Sequence, residues 1–81
     1  MKGIAARKVR DVLRRQFGLR PLKRGKATGH EIWIDYHGRT CQPMLRKKDV
    51  PYAALYSLGT ELESKGIALR QVFLATLKTA A

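Results

Sequence analysis

The run HEIWIDY, residues 30–36, lies between KATG on one side and the turn pair His37-Gly38 on the other. Ile32, Trp33, Ile34 and Tyr36 suit an extended backbone, since branched and aromatic side chains pack well on a pleated surface. The flanking glycines let the chain reverse at both ends. LRPLKR, residues 19–24, offers a first neighbouring strand, short and basic, and Pro21 confines it to a sheet edge. RTCQPML, residues 39–45, offers the other. These spacings predict a three-stranded antiparallel meander.

Helices bracket that meander. From Ile4 to Phe17, residues Ala5, Ala6, Val9, Val12, Leu13 and Phe17 gather on one side at 3.6 residues per turn. Arg7, Lys8, Arg10, Arg14 and Arg15 gather on the other, broken only by Asp11. Gly18 stops the helix. After the charged connector LRKKD, Val50-Pro51 opens a second helix over about 51–65, with Leu55, Leu58 and Leu62 at helical spacing. Glu61 and Lys65 form an expected i,i+4 pair, and Gly66 ends the helix. A third helix over about 67–79 places Leu69, Val72, Phe73 and Leu77 on its buried side. The expected class is α+β: one N-terminal helix, a three-stranded antiparallel sheet and two C-terminal helices in a single domain spanning 1–81.

Charge points to a partner. The 81 residues carry a formal +11, and residues 1–26 hold ten basic and one acidic side chain. Residues 27–50 and 51–81 carry +1 each. A basic segment of this kind fits a polyanion, with a solubilising face or an acidic partner protein as the plainer alternatives. No apolar run reaches membrane-spanning length, and no secretory stretch opens the chain. The one cysteine, Cys41, has no partner for an internal disulfide, and two histidines make a poor metal set. A reduced, cytoplasmic protein without cofactor or metal is expected.

The order helix–strand–strand–strand–helix, with a glycine-flanked histidine opening the second strand, resembles the HicA-type (YcfA-like) toxins of bacterial toxin–antitoxin pairs. Lys26, Gly29 and His30-Glu31-Ile32-Trp33, followed by Gly38-Arg39, match that family's Lys-Gly-Ser-His, apolar strand and Asp-Gly-Arg. Val12, Leu13 and Phe17-Gly18 sit where the family has its first helix and exit. The match covers about 5–44, and Ala68-Leu69-Arg70-Gln71 follows the last helix more loosely. Gly29 stands where the family has serine, Lys26 lies one residue further back, and His37-Gly38 replaces Asp-Gly. The segment LRKKDVPYAALYSLGTELESKG is additional. The resemblance implies a fold like that of double-stranded-RNA-binding domains (dsRBD-like). It also implies a metal-independent endoribonuclease that cleaves mRNA and is silenced by a HicB-type antitoxin.

His30 is the catalytic candidate, because an imidazole titrating near neutrality can move a proton during RNA cleavage. Lys23, Arg24 and Lys26 are candidates to clamp the phosphate. The backbone N–H groups of Thr28 and Gly29 are candidates to donate to its oxygens. Arg14 and Arg15, on the basic face of the first helix, extend the proposed RNA surface. The bland reading of His30 comes from strand parity. It shares a side with Ile32, Ile34 and Tyr36, so it points coreward if those isoleucines face the helices. Glu31, Trp33 and Asp35 take the other side, where Trp33 would stack a base, anchor a protein or simply pack. His30 and His37 sit roughly 23 Å apart along one strand, too far to act as a pair. Cys41 is expected to fill a strand position, and Glu61 and Glu63 to be solvated. A non-catalytic RNA-binding module and a DNA-binding or partner-docking accessory protein are the alternatives.

Overall fold

A computed structural model describes residues 3–24, 31–45 and 48–79. The chain runs β1 (Ile4–Ala5), α1 (Ala6–Arg15), β2 (Arg20–Arg24), β3 (Glu31–Ile34), β4 (Thr40–Cys41), β5 (Asp49–Val50), α2 (Tyr52–Ser64) and α3 (Arg70–Thr79). Strands β2, β3 and β4 form an antiparallel sheet in that order, so the proline-bearing β2 is an edge. Its register passes from Arg20↔Ile34 and Pro21↔Trp33 to Lys23↔Ile32, with an irregularity at Leu22. The α+β class and the three-stranded meander are as the sequence pattern implies.

A second sheet was not anticipated. Ile4 and Ala5, expected as helix, pair antiparallel with Val50 and Asp49. This ribbon solves a problem at the start of α1, which has no side-chain cap. The first N–H groups of a helix lack intrahelical acceptors, and the Ala6 N–H donates instead to the Lys48 carbonyl at 2.7 Å. At the other end Gly18 adopts φ +67°, and the Leu19 N–H turns back to the Leu13 carbonyl at 2.9 Å.

One apolar cluster joins all layers: Val9, Val12 and Leu13 from α1, Trp33 and Cys41 from the sheet, Leu55, Leu58 and Leu62 from α2, Phe73 and Leu77 from α3. Phe17 meets Phe73 with ring centroids 5.9 Å apart. The sheet therefore turns its Trp33 face to the helices, opposite to the parity that would bury Ile32 and Ile34. Trp33 is fully buried, which removes it as a base-stacking or partner-anchoring side chain. Parity follows size and partners: indole has the most apolar surface to hide, and the two carboxylates beside it each find a cation.

On α3, Phe73 and Leu77 are buried as expected, but Leu69 and Val72 are about half exposed. The helix starts at Arg70, so its contact face turns away from both. The third strand contracts to Thr40–Cys41. Glu61 accepts the Gln42 N–H and forms no ion pair with Lys65. Glu63 is exposed, as expected, and also accepts the Arg70 N–H at 3.0 Å, capping α3.

Candidate nucleic-acid interface

The basic face of α1 divides into structural and surface cations. Arg10 is structural. Its Nη2 lies 2.6 Å from Glu31 Oε2 and also donates to the Leu45 carbonyl at 3.2 Å, pinning the helix to the sheet. Glu31 additionally accepts the Trp33 Nε1–H at 2.9 Å. Arg10, grouped by periodicity with the outward cations, is thus an internal counter-ion. Arg7, Arg14 and Arg15 are exposed. Arg15 pairs with Asp11 at 3.0 Å across one helical turn, with both side chains largely solvated, a contact of little energetic weight. The Arg14 guanidinium lies 5.9 Å from the Trp33 ring centroid and roofs the buried indole.

Beyond Gly18 the basic surface continues onto β2, where Arg20 is exposed and pairs with Ile34. Arg14 and Arg20 line a cleft of about 190 Å³ with Gly18, Leu19, Ile34, Asp35 and Tyr36. Its acidic member is neutralised. Asp35 Oδ2 receives Arg39 Nε at 2.7 Å, while Oδ1 accepts the His37 and Arg39 N–H groups at 2.9 and 2.8 Å. Burial pushes this carboxyl up, but the Arg39 and His37 donors and the Arg39 charge outweigh that and hold it below its ordinary 3.8. The same contacts shape the β3–β4 turn, in which an aspartate accepting from the residue two positions on replaces a backbone acceptor. Gly38 at φ +81° completes the turn. Arg39 also donates to the Gly66 carbonyl at 2.7 Å, tying the turn to the α2–α3 junction.

Of the sequence-designated residues, Arg14 and Arg15 stand on this surface, and Arg14 borders the cleft. Lys23 and Arg24 lie in β2 opposite Ile32 and Glu31. Lys26, Thr28, Gly29 and His30 lie outside the described residues. His37 is exposed in the β3–β4 turn. Sequence reasoning passed over Arg20 and Tyr36. The signal available was an arginine opening a basic strand and an aromatic residue directly before His-Gly. Cys41 is fully buried, and its thiol is pushed up to about 12 by that burial, with Glu61 and Asp35 adding to the shift and Lys65 opposing it.

Compared with known protein families, curated proteins and solved structures, the chain finds no match. Among the described residues, no group of three or more His, Cys, Asp or Glu side chains is placed to hold a metal. No described helix is long and apolar enough to cross a membrane.

Proposed function

We propose that this protein binds RNA through the continuous basic surface of α1 and β2 and cleaves it as a HicA-like toxin. The observation that carries the binding half is the disposition of charge. Arg7, Arg14, Arg15 and Arg20 face solvent, whereas Glu31 and Asp35 of the adjoining strand are buried against Arg10 and Arg39. Among the described residues this surface thus carries four exposed arginines against one exposed carboxylate, Asp11, and a phosphate backbone is the polyanion it suits.

The catalytic half rests on the resemblance at Lys26, Gly29 and His30-Glu31-Ile32-Trp33. RNA carries its own nucleophile. The 2′-hydroxyl attacks the adjacent phosphorus, the bond to the 5′-oxygen breaks, and a cyclic phosphate and a free 5′-hydroxyl result. The protein has to move a proton and steady the negative charge that builds on phosphorus. His30 is assigned the proton, and Lys23, Arg24 and Lys26 the charge, with the Thr28 and Gly29 N–H groups as further donors. In this reading the substrate is mRNA in the cytoplasm, the fold is dsRBD-like, and a HicB-type antitoxin is the partner that silences the activity.

Induced expression of wild type and His30→Ala in parallel, scored for growth and mRNA integrity, tests the proposal. Growth arrest with fragmented mRNA for wild type, and neither for an equally soluble His30→Ala, is the expected result. If both bind RNA alike and neither cleaves it, the protein is a non-catalytic RNA-binding module. If neither binds RNA, the polyanion reading fails as a whole.

A further inference from the structure

Tyr36 is 95% exposed, the most exposed large apolar side chain described, and it stands at the first central position of the β3–β4 turn. Its ring edge lies over Gly18: a Cβ there would sit 3.7 Å from Tyr36 Cε2 and 3.8 Å from Cδ2. The ring therefore stands beside the α1–β2 turn with its faces open to water. The Asp35 carboxylate, holding two backbone N–H groups and Arg39, fixes the turn that carries it. Arg14 and Arg20 line the same cleft.

Isolated exposed aromatics are ordinary on protein surfaces. This one is set beside two exposed arginines, and the nearby carboxylate is already neutralised. We propose that Tyr36, Arg14 and Arg20 form a nucleotide subsite that takes one unpaired RNA base. The base stacks on the open face of Tyr36 while the two guanidiniums hold the flanking phosphates. The chemistry matches single-strand recognition, in which a ring accepts any base face and cations track the backbone. Duplex RNA does not fit, since its bases are stacked inside the helix and cannot reach a ring standing on a turn. Arg14 suits the role because it is exposed and its guanidinium carries a fork of N–H donors matched to phosphate oxygens. The inference rests on the RNA-binding reading above and adds to it a location and a preference for unpaired nucleotides.

The test measures binding of a short 2′-O-methyl oligouridylate, which lacks the attacking hydroxyl, and of an abasic strand of equal length and charge. Wild type, Tyr36→Ala and Tyr36→Phe are compared, with circular dichroism confirming the fold of each. Tyr36→Ala is expected to weaken oligouridylate binding roughly 5- to 100-fold and to leave the abasic strand unaffected. Tyr36→Phe keeps the ring and stays within about twofold of wild type. If wild type binds both strands and Tyr36→Ala binds them equally well, the subsite is refuted while the RNA-binding reading stands. If wild type binds neither strand, nor duplex RNA, the RNA-binding reading fails and the subsite with it.

Discussion

Glu31 carries the contact between sheet and helix, and its removal gives the sharpest test of the fold. The residue is 7% exposed and receives Arg10 at 2.6 Å and the Trp33 indole N–H at 2.9 Å. Glu31→Ala leaves the indole N–H buried without that acceptor, a cost of about 1–3 kcal/mol. It also strips the charge from opposite Arg10. Breaking a fully buried pair costs about 3–5 kcal/mol. The Arg10 side chain is 32% exposed and keeps its bond to the Leu45 carbonyl, so about 1–2 kcal/mol is the appropriate share here. The total is about 3 kcal/mol, against roughly 4–12 kcal/mol for the whole stability of a chain this length. Glu31→Gln keeps an amide oxygen for the indole but turns its NH2 toward Arg10, losing the charge and the Arg10 hydrogen bond, so it should cost less than Glu31→Ala by about the 1–3 kcal/mol of the indole acceptor. Urea unfolding followed by fluorescence of Trp33, the one tryptophan and fully buried, measures both. With a urea m-value on the order of 1 kcal/mol/M, Glu31→Ala lowers the midpoint by about 3 M. A loss below about 1 kcal/mol would refute the reasoning. So would a double-mutant cycle with Arg10→Ala that shows no coupling between the two sites.

Three further outcomes are expected. Asp35 titrates lower when folded than unfolded, so its contribution is present above pH 3.8 and fades as pH falls through the folded value. The thermal midpoint of Asp35→Asn should therefore lie below wild type at pH 6 and converge on it in acid; parallel curves throughout would rule this out. Cys41, buried with its thiol raised to about 12, should resist a thiol reagent at neutral pH until the chain unfolds globally, and rapid labelling of the native protein would contradict that. A Cβ at Gly59 would sit 2.8 Å from Arg70 Cγ and 3.3 Å from Phe73 Cδ2, where α2 crosses α3. Gly59→Ala should destabilise by about 1 kcal/mol in urea although alanine is the better helix former, because overpacking outweighs propensity; a stabilised variant would show the crossing to be loose.

The elements with a period are legible in the sequence. Val9, Val12 and Leu13 announce α1, Leu55, Leu58 and Leu62 announce α2, and Gly18 and Gly66 punctuate the chain where the helices end. Two-residue strands have no period to read, so Ile4–Ala5 and Asp49–Val50 stayed hidden in a helix and a connector. Sheet parity failed for a different reason. Counting apolar residues along HEIWIDY puts Ile32 and Ile34 inward. The choice was made by Arg10, 21 positions before Glu31, and by Arg39 across the turn from Asp35, which let two carboxylates go in beside the indole. Only Arg39, four residues after Asp35 around an Asp-x-x-Gly turn, was close enough to raise the possibility from sequence. At the candidate site, the exposed cations of α1 followed from helical spacing. The cleft joining Arg14 to Arg20 and Tyr36 did not, because it depends on how two turns meet at Gly18.

That allocation of carboxylates has an electrostatic consequence for the free protein. Asp11, Glu31 and Asp35 each hold an arginine, while Glu61 and Glu63 are spent on backbone N–H groups of Gln42 and Arg70. Among the described residues, Arg7, Arg14 and Arg20 are exposed without an ion-pair partner, and their mutual repulsion opposes folding until an anion or salt relieves it. Salt also weakens attractive pairs, but the Glu31 and Asp35 side chains are only 9% and 6% exposed and are screened far less than the open cations of α1. Repulsion is therefore screened more than attraction. Raising potassium chloride from about 0.02 to 0.2 M, which shortens the screening length from roughly 20 to 7 Å, should stabilise the fold by on the order of 1 kcal/mol. For a domain of this size that is about 4–8 °C in the thermal midpoint. A midpoint that falls over the same range would mean that the ion pairs outweigh the basic surface. The uncompensated charge on which the polyanion reading depends would then be smaller than the placement of these side chains implies.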